Sequence, residues 1–171
     1  MSLVGLEILC GGPIKNLFSP AMVFDSTMRD LVERTVTSLS ACGAVVRSAH
    51  IAEGFAVTDL SSRDITTRDH SWCETCDIYV ALWPTGPDGL PFPSAGTAIE
   101  LGWVSSRGKP IVMVWDEERS SAYSHLLRGL EAITAVECVD LRHLAQDAQI
   151  LPSAIDRART EGVSRAHSRS R

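Results

Sequence analysis

Residues 77–83 have the sequence DIYVALW, and residues 111–115 have the sequence IVMVW. Such near-continuous apolar runs are typical of strands that a parallel sheet buries on both faces. A segment with helical character, Gly96 to Arg107, separates the two runs and is followed by Gly108, a common helix stop. A strand, a helix and a second strand in this order predict a βαβ unit with parallel strands.

The same alternation continues in both directions along the chain. It predicts further strands at 6–10, 44–49 and 135–141, and further helices at 27–42, 62–74, 121–132 and 143–159. Five strands that alternate with helices predict an α/β fold in three layers, with a doubly wound parallel sheet of the flavodoxin or Rossmann-like type. In such sheets, ligands bind beyond the carboxyl ends of the strands.

Length and composition limit the class of protein. Of the 171 residues, 44% are hydrophobic and 22% are charged, which is the mix of an ordinary globular domain. We place this single domain at residues 1–159 and expect the Arg/Ser-rich segment 160–171 to be disordered. A run of about 18 uncharged apolar residues, as in a membrane span, is not found. Together with an N-terminus unlike a secretory signal, this predicts a cytoplasmic protein with no membrane partner.

The charge and the cysteines exclude other classes. A formal net charge of −5 is a poor match to a nucleic-acid backbone, so no such polymer is expected as a partner. The five cysteines are odd in number and scattered, which favours reduced thiols. Cys73 and Cys76 have CxxC spacing, but they close a predicted helix instead of opening one, and we interpret them as structural thiols. No cluster has convincing metal-ligand spacing, so neither a metal nor an organic cofactor is expected.

The strongest local signal is the segment SAGTAIELG that begins at Ser94, because it follows a buried strand and opens a helix. The N–H groups of Gly96, Thr97 and Ala98 are predicted to hold an anion, with the Ser94 hydroxyl as a further donor. Glu100 is predicted to lie in the first helical turn, where the dipole keeps it ionised, as a nucleophile at a sugar carbon must be. Alternatively, Thr97 and Glu100 form a capping box and have no chemical role.

Three weaker candidates lie elsewhere. The loop that begins with Gly11 and Gly12 matches neither the dinucleotide nor the P-loop pattern. A glycine pair still lets a ligand approach the backbone, and Lys15 is suited to pair with a phosphate, although a tight turn with a solvated lysine explains the loop equally well. His50, at the end of the second strand, and Asp69, on the helix 62–74, are residue types that are more often structural when taken singly.

Taken together, these segments resemble the nucleoside 2-deoxyribosyltransferase superfamily over residues 6 to 141. The resemblance rests on four features in order: the loop GGPIK after the first strand, Ala49-His50, Asp69 ahead of CDIYV, and GTAIELG followed by Gly108-Lys109-Pro110. Within the superfamily, the phrases GGPIKNLFSP, RDHSWCETCDIYVAL and SAGTAIELGWVSSRGKP are similar to the cytidylate and hydroxymethylcytidylate hydrolases of nucleoside-antibiotic pathways. The 2′-deoxynucleoside 5′-phosphate hydrolases are a related group.

The resemblance implies roles for particular residues. Glu100 matches the nucleophile, and Asp69 matches an acidic residue that positions the sugar or protonates the leaving base. Ser94 stands where transferases of free nucleosides have an aspartate, which implies a substrate with a 5′-phosphate. Ser124 matches a serine that the deoxynucleotide hydrolases contribute across a homodimer interface, so a homodimer is expected. Substrate contacts are further implied for Gly12, Ile14, Lys15, His50, Gly96 and Thr97.

The implied reaction is hydrolysis of the N-glycosidic bond of a nucleoside 5′-monophosphate, with CMP or 5-hydroxymethyl-CMP as the best candidates. The products are a free base and ribose 5-phosphate. Hydrolysis of a 2′-deoxynucleotide, base exchange and a non-catalytic nucleotide sensor stay open as alternatives. The cytokinin-activating phosphoribohydrolases are a further lineage, but their Pro-Gly-Gly-x-Gly-Thr loop differs from the Pro-Ser-Ala-Gly-Thr of this chain.

Overall fold

A single parallel sheet forms the middle layer of the structure. Its spatial order is β2-β1-β3-β4-β5, the order of flavodoxin-like folds, and all four neighbouring pairs are parallel. The predicted α/β fold with a doubly wound, five-stranded parallel sheet is therefore confirmed. The strands are β1 (Glu7–Gly11), β2 (Val45–Arg47), β3 (Ile78–Trp83), β4 (Ile111–Trp115) and β5 (Val136–Asp140).

The structure is a computed structural model that describes residues 2–14, 24–56, 59–147 and 149–169, with side chains described as far as residue 166. The helices are α1 (Ser26–Ala41), α2 (Ala49–Ala52), α3 (Ser62–Thr75), α4 (Ala95–Ser106), α5 (His125–Arg128), α6 (Leu141–Gln146) and α7 (Ile150–Arg169). Short 3-10 segments span Glu117–Ala122 and Leu130–Ala132. Within the described parts of the chain, no helix is both long enough and apolar enough to cross a bilayer.

The two faces of the sheet have separate cores. The helices α1, α6 and α7 cover one face, and α3 and α4 cover the other. Every residue of β3 is buried, and its side chains alternate between the faces because successive strand residues point in opposite directions. Val80 and Leu82 pack beneath α1, whereas Tyr79, Ala81 and Trp83 pack beneath α3 and α4. This alternation brings the hydroxyl of Tyr79 to the face on which α4 carries Glu100.

Two predicted helices are divided in the structure. The predicted helix 121–132 consists of α5 between two 3-10 segments, because Ser124 caps α5 and Gly129 ends it. The predicted helix 143–159 is two helices, α6 and α7, the first of which begins under the side-chain cap of Asp140.

The expectation of disorder from residue 160 is wrong for residues 160–169, which continue α7. Arg165 pairs with Glu161 one turn earlier and also donates to the backbone carbonyl of Glu131 at 2.6 Å. Gly162 lies against Pro110, which would be 3.7 Å from a Cβ at that position. The basic end of the chain is therefore attached to the domain by contacts that are distant in sequence.

Candidate active site

The candidate site lies where the connections from β1 and β3 diverge. The chain leaves β1 toward β2 on one side and returns to β3 on the other, so a crevice opens between the carboxyl ends of β1 and β3. Open α/β sheets bind their ligands at such a switch point. The predicted carboxylates reach this crevice from α3 and α4, which pack against each other above the sheet.

The centre of the site is a short hydrogen bond between a tyrosine and a carboxylate. The hydroxyl of Tyr79 donates to Oε2 of Glu100 at 2.5 Å, and Tyr79 is fully buried. Gly11 makes room for the pair, because a Cβ at that position would be 2.1 Å from the Tyr79 hydroxyl and 2.9 Å from Oε2 of Glu100. A glycine at the end of β1 is therefore needed for Tyr79 and Glu100 to form this hydrogen bond.

Burial controls the charge of Glu100. The pKa of Glu100 is raised from 4.5 to about 7. Desolvation by burial is the main cause and the carboxylate of Asp69 adds to it, whereas the Tyr79 hydrogen bond and the charge of Arg68 act in the opposite direction. The prediction that Glu100 lies in the first helical turn is wrong. The helix begins at Ala95 after the cap Ser94, so Glu100 lies in the second turn, beyond the strongest effect of the dipole.

The cap of α4 also excludes the alternative explanation of Glu100. Ser94, not Thr97, is the N-cap, and its hydroxyl accepts from the N–H of Thr97 at 3.3 Å. Glu100 then has no place in a capping box, because that motif needs the acidic residue three positions after the cap. Its described partner is instead the Tyr79 hydroxyl.

Asp69 lies on α3, close enough for its charge to raise the pKa of Glu100. Its carboxylate is 14% exposed and accepts from Nε of Arg68 at 2.8 Å. The same guanidinium donates from Nη2 to Glu53 at 2.7 Å. The structure therefore brings together the two predicted carboxylates, and it adds a cation that bridges one of them to α2.

The predicted anion site at the start of α4 differs from the expectation. The Ser94 hydroxyl accepts from the N–H of Thr97, and the Ser94 carbonyl accepts from the N–H of Ala98. The Thr97 side chain is buried and shares a hydrogen bond of 2.7 Å with the Ser94 hydroxyl. Ser94 thus binds the N–H groups of Thr97 and Ala98, two of the three that were predicted to hold an anion. The N–H groups of Ala95 and Gly96 are not bound by Ser94, and both residues are exposed.

The first loop and His50 form a second group of predicted residues. His50 was predicted at the end of the second strand, but it lies in α2. It is 1% exposed, and its Nε2 donates to the carbonyl of Pro13 at 2.9 Å. Burial lowers the pKa of His50, so the ring is neutral. Ile14 is half-buried against the core beneath α1. His50 therefore holds the backbone of the first loop, and Lys15 lies outside the described residues.

Gly12 has a packing role. A Cβ at Gly12 would lie 2.4 Å from the carbonyl oxygen of Leu82, so the first loop passes directly over the end of β3. The close neighbour that requires this glycine is therefore protein backbone, whereas a ligand was the expectation.

Ser94 and Ser124 share a groove on the other flank of α4. Its volume is about 640 Å³, and most of its lining is apolar, including Phe92, Leu101 and Leu126. Ser124 is exposed and caps α5 through the N–H of Leu126. Glu100 is not among the residues that line this groove.

The remaining candidates have structural roles. Cys73 and Cys76 are buried, and burial raises the pKa of Cys76 to about 11, which fits the interpretation as inert thiols. In the described part of the chain, no three His, Cys, Asp or Glu side chains are arranged to hold a metal ion.

Sequence reasoning missed Tyr79 and Arg68, and it assigned Gly11 to the approach of a ligand instead of to the packing of Tyr79 and Glu100. A signal existed for Tyr79, because a hydroxyl within an apolar strand requires a polar partner in the interior. A pairing of Arg68 with the adjacent Asp69 could have been inferred from the sequence. Its second partner, Glu53, follows α2 and is brought close only by the fold.

Solved structures of known proteins share this fold. The CMP N-glycosidase BcmB of Clostridium botulinum is 22% identical, with a TM-score of 0.56 over 82% of this chain and 99% of the other. The solution structure of BlsM is 28% identical, with a TM-score of 0.71 over 96% of each chain. At 22% identity, the likeness to BcmB concerns the fold.

A similar protein is also found among curated sequences. It is a Thermofilum pendens protein whose name proposes a 2′-deoxynucleoside 5′-phosphate N-hydrolase, and it is 27% identical over 101 residues. The alignment covers 58% of this chain and 66% of the relative, slightly less than two thirds of its length.

The flavodoxin-like sheet carries a buried carboxylate, Glu100, at its switch point. Residues 18–161 match the family model described as nucleoside 2-deoxyribosyltransferase, and the chain belongs to this family. The resemblance inferred from the sequence is thereby confirmed.

Proposed function

We propose that the enzyme hydrolyses the N-glycosidic bond of a nucleoside 5′-monophosphate in the cytoplasm, with CMP or 5-hydroxymethyl-CMP as the preferred substrate. The observation that carries this proposal is the Glu100 carboxylate, which Tyr79 holds at the switch point beside Asp69. The products are the free base and ribose 5-phosphate. The cytosine preference rests on the sequence similarity described above.

In the first step, ionised Glu100 attacks the anomeric carbon of the sugar as the bond to the base breaks. Tyr79 donates to Oε2, which leaves Oε1 as the attacking oxygen. The electron pair of the broken bond goes to the base, which takes up a proton from solvent in a transfer that Asp69 assists. The product of this step is a glycosyl ester of Glu100, formed through a transition state with oxocarbenium character.

In the second step, water attacks the same carbon and releases its proton to solvent through Asp69 as the ester bond to Glu100 breaks. Asp69 orients the sugar, and the carboxylate of Glu100 is regenerated with its bond from Tyr79. Burial raises the pKa of Tyr79 well above 10, so the phenol remains a hydrogen-bond donor throughout. The negative carboxylates also stabilise the developing positive charge on the sugar.

The phosphate is assigned to the start of α4. Ala95 and Gly96, whose N–H groups Ser94 does not bind, are exposed there, and the helix dipole favours an anion. To bind the phosphate, Ser94 turns its hydroxyl from Thr97 to the anion. A serine donates to a phosphate, whereas an aspartate would repel it. Lys15 is proposed as a further cation for the same group.

A homodimer is part of the proposal. Leu126 is 84% exposed and Leu90 is 58% exposed, and both line the groove that also contains Ser94 and Ser124. A second copy would cover these side chains and bring its Ser124 toward the phosphate site. Light scattering of the wild type and of Leu126→Glu tests this, with a dimer expected for the first and a monomer with reduced activity for the second.

Base release measured by chromatography tests the reaction. The substrates are CMP, 5-hydroxymethyl-CMP, dCMP, AMP, GMP and UMP, with the matching nucleosides as controls. The proposal predicts release from a cytosine ribonucleotide, none from its nucleoside and none with Glu100→Gln. The name of the relative makes a 2′-deoxynucleoside 5′-phosphate, represented here by dCMP, the main competing substrate. Saturable binding without release from any compound would instead favour a nucleotide sensor.

A further inference from the structure

Arg68 has contacts that an ordinary surface arginine lacks. It donates from Nε to Asp69 at 2.8 Å and from Nη2 to Glu53 at 2.7 Å. Its guanidinium also lies over the ring of Trp72, with 4.8 Å to the centroid. Only 18% of the Arg68 side chain is exposed, and the exposed fractions of Asp69 and Glu53 are 14% and 9%. Three contacts therefore fix the guanidinium plane in a largely buried network.

We propose that Arg68 is a positioning residue of the active site, which holds the Asp69 carboxylate beside Glu100 and compensates the charge that these two carboxylates place together. This inference rests on the proposed function, because it assigns Arg68 a task in the reaction of Glu100. Arg68 acts through Asp69 and does not itself contact the substrate.

The groups that face Glu100 from the packed elements show why a cation is needed. They are Cys10 from β1, Tyr79 from β3, and Arg68, Asp69 and Cys73 from α3. Burial keeps the two thiols and the phenol neutral at physiological pH. Arg68 is the cation whose charge lowers the pKa of Glu100, and its Nε donates to Asp69.

The chemistry of the network requires arginine in particular. Its planar group donates to two carboxylates from two nitrogens while its face stacks on Trp72. A lysine would supply a point charge without the fork or the stacking surface. Glu53 ends α2, the helix in which His50 holds the first loop, so the same guanidinium links that loop to Asp69.

The first measurement does not need a substrate. Carbon-13 NMR of protein labelled at the glutamate carboxyl groups follows the titration of Glu100, and the Glu100→Gln variant assigns its signal. In Arg68→Gln, the midpoint is expected to rise by about one pH unit or more, because Asp69 then acts on Glu100 without compensation. Arg63→Gln is the matched control, because Arg63 is an exposed arginine of the same helix. A shift no larger than that of the control would overturn the proposal.

The second measurement separates charge from position. In the dependence of kcat/KM on pH, Arg68→Lys is expected to restore the acid limb while its plateau stays about tenfold or more below wild type. A lysine variant with the full wild-type plateau would overturn the positioning role. If the wild type releases no base from any nucleotide, the proposed function fails, and the NMR titration still decides the charge relationship.

If Arg68→Gln does not fold, a third variant, Asp69→Asn, tests the same charge relationship. Asp69→Asn keeps the arginine and removes the negative charge, so the Glu100 midpoint is expected to fall instead of rise. An unchanged midpoint in Asp69→Asn would contradict the charge relationship between α3 and Glu100.

Discussion

The hydroxyl of Tyr79 and the carboxylate of Glu100 occupy the space that a side chain at Gly11 would need. Strand β3, helix α4 and the end of β1 are therefore in direct contact at this point, and an added side chain at Gly11 would separate them. The arrangement buries a carboxylate beside a second one, which costs stability but prepares a nucleophile. Such local costs are typical of functional sites.

Removing the hydroxyl of Tyr79 should change the pH dependence of the reaction. The hydrogen bond from Tyr79 lowers the pKa of Glu100, so Tyr79→Phe raises that pKa above about 7. Because the attacking form is the carboxylate, the acid limb of kcat/KM is expected to move to higher pH by about one unit. Tyr123→Phe is the control, since its hydroxyl donates to the carbonyl of Trp83 in the same core. A limb that moves equally in both variants would contradict this account.

Glu100→Gln should lose activity and gain stability above neutral pH. The pKa of Glu100 is about 7 in the folded protein and near 4.5 when unfolded, so the folded state binds more protons between these values. Stability contributed by this residue is therefore lost as pH rises from about 4.5 to above 7. A glutamine cannot ionise, and we expect it to raise the free energy of unfolding by up to about 3 kcal/mol at pH 8 and less than about 1 kcal/mol at pH 5. Urea unfolding at both pH values checks this, and a loss of stability at pH 8 would refute it.

Gly11→Ala should abolish activity through a steric conflict. The added Cβ would lie 2.1 Å from the Tyr79 hydroxyl, which is far inside contact distance and within a packed interior. We expect kcat/KM to fall by about a hundredfold or more. The control is Gly162→Ala in α7, where the nearest atom is at 3.7 Å and alanine favours the helix. Wild-type kinetics in Gly11→Ala would mean that the pair does not form as described.

Ser94→Asp should discriminate between nucleotides and nucleosides. Aspartate is as good an N-cap as serine, so α4 should keep its stability while the new charge repels a 5′-phosphate. The kcat/KM for the monophosphate is expected to fall about a hundredfold or more, with no comparable loss of any residual activity on the nucleoside. Parallel assays on CMP and cytidine measure this, and equal losses on both would remove Ser94 from the phosphate site.

Much of the fold was predictable from local pattern. The apolar run Ile111–Trp115 has the observed bounds of β4, because a strand covered on both faces has a strong sequence signal. The choice between Ser94 and Thr97 as helix cap was not predictable, since both residue types cap well. In the structure, the indole of Trp83 donates to the carbonyl of Phe92 at 2.7 Å and so fixes the loop just before the cap Ser94.

The site was predictable in its residues but not in its electrostatics. Glu100 and Asp69 were visible as motif residues, whereas the raised pKa of Glu100 depends on its burial against β1 and β3. The pairing of Arg68 with Glu53 joins two helices, and the contact of Arg165 with Glu131 joins α7 to a distant turn. Neither contact has a local sequence pattern, because each depends on the assembled fold.

Mass spectrometry of a trapped glycosyl-enzyme tests the central claim most directly. A cytosine nucleotide with fluorine at the 2′ position in the arabino configuration slows both steps, because fluorine destabilises positive charge at the anomeric carbon. We predict a phosphorylated fluorosugar on the peptide that contains Glu100. The adduct should be absent from Glu100→Gln and from protein treated with the matching nucleoside. An adduct on another residue, or base release from the natural nucleotide that persists in Glu100→Gln, would contradict the account.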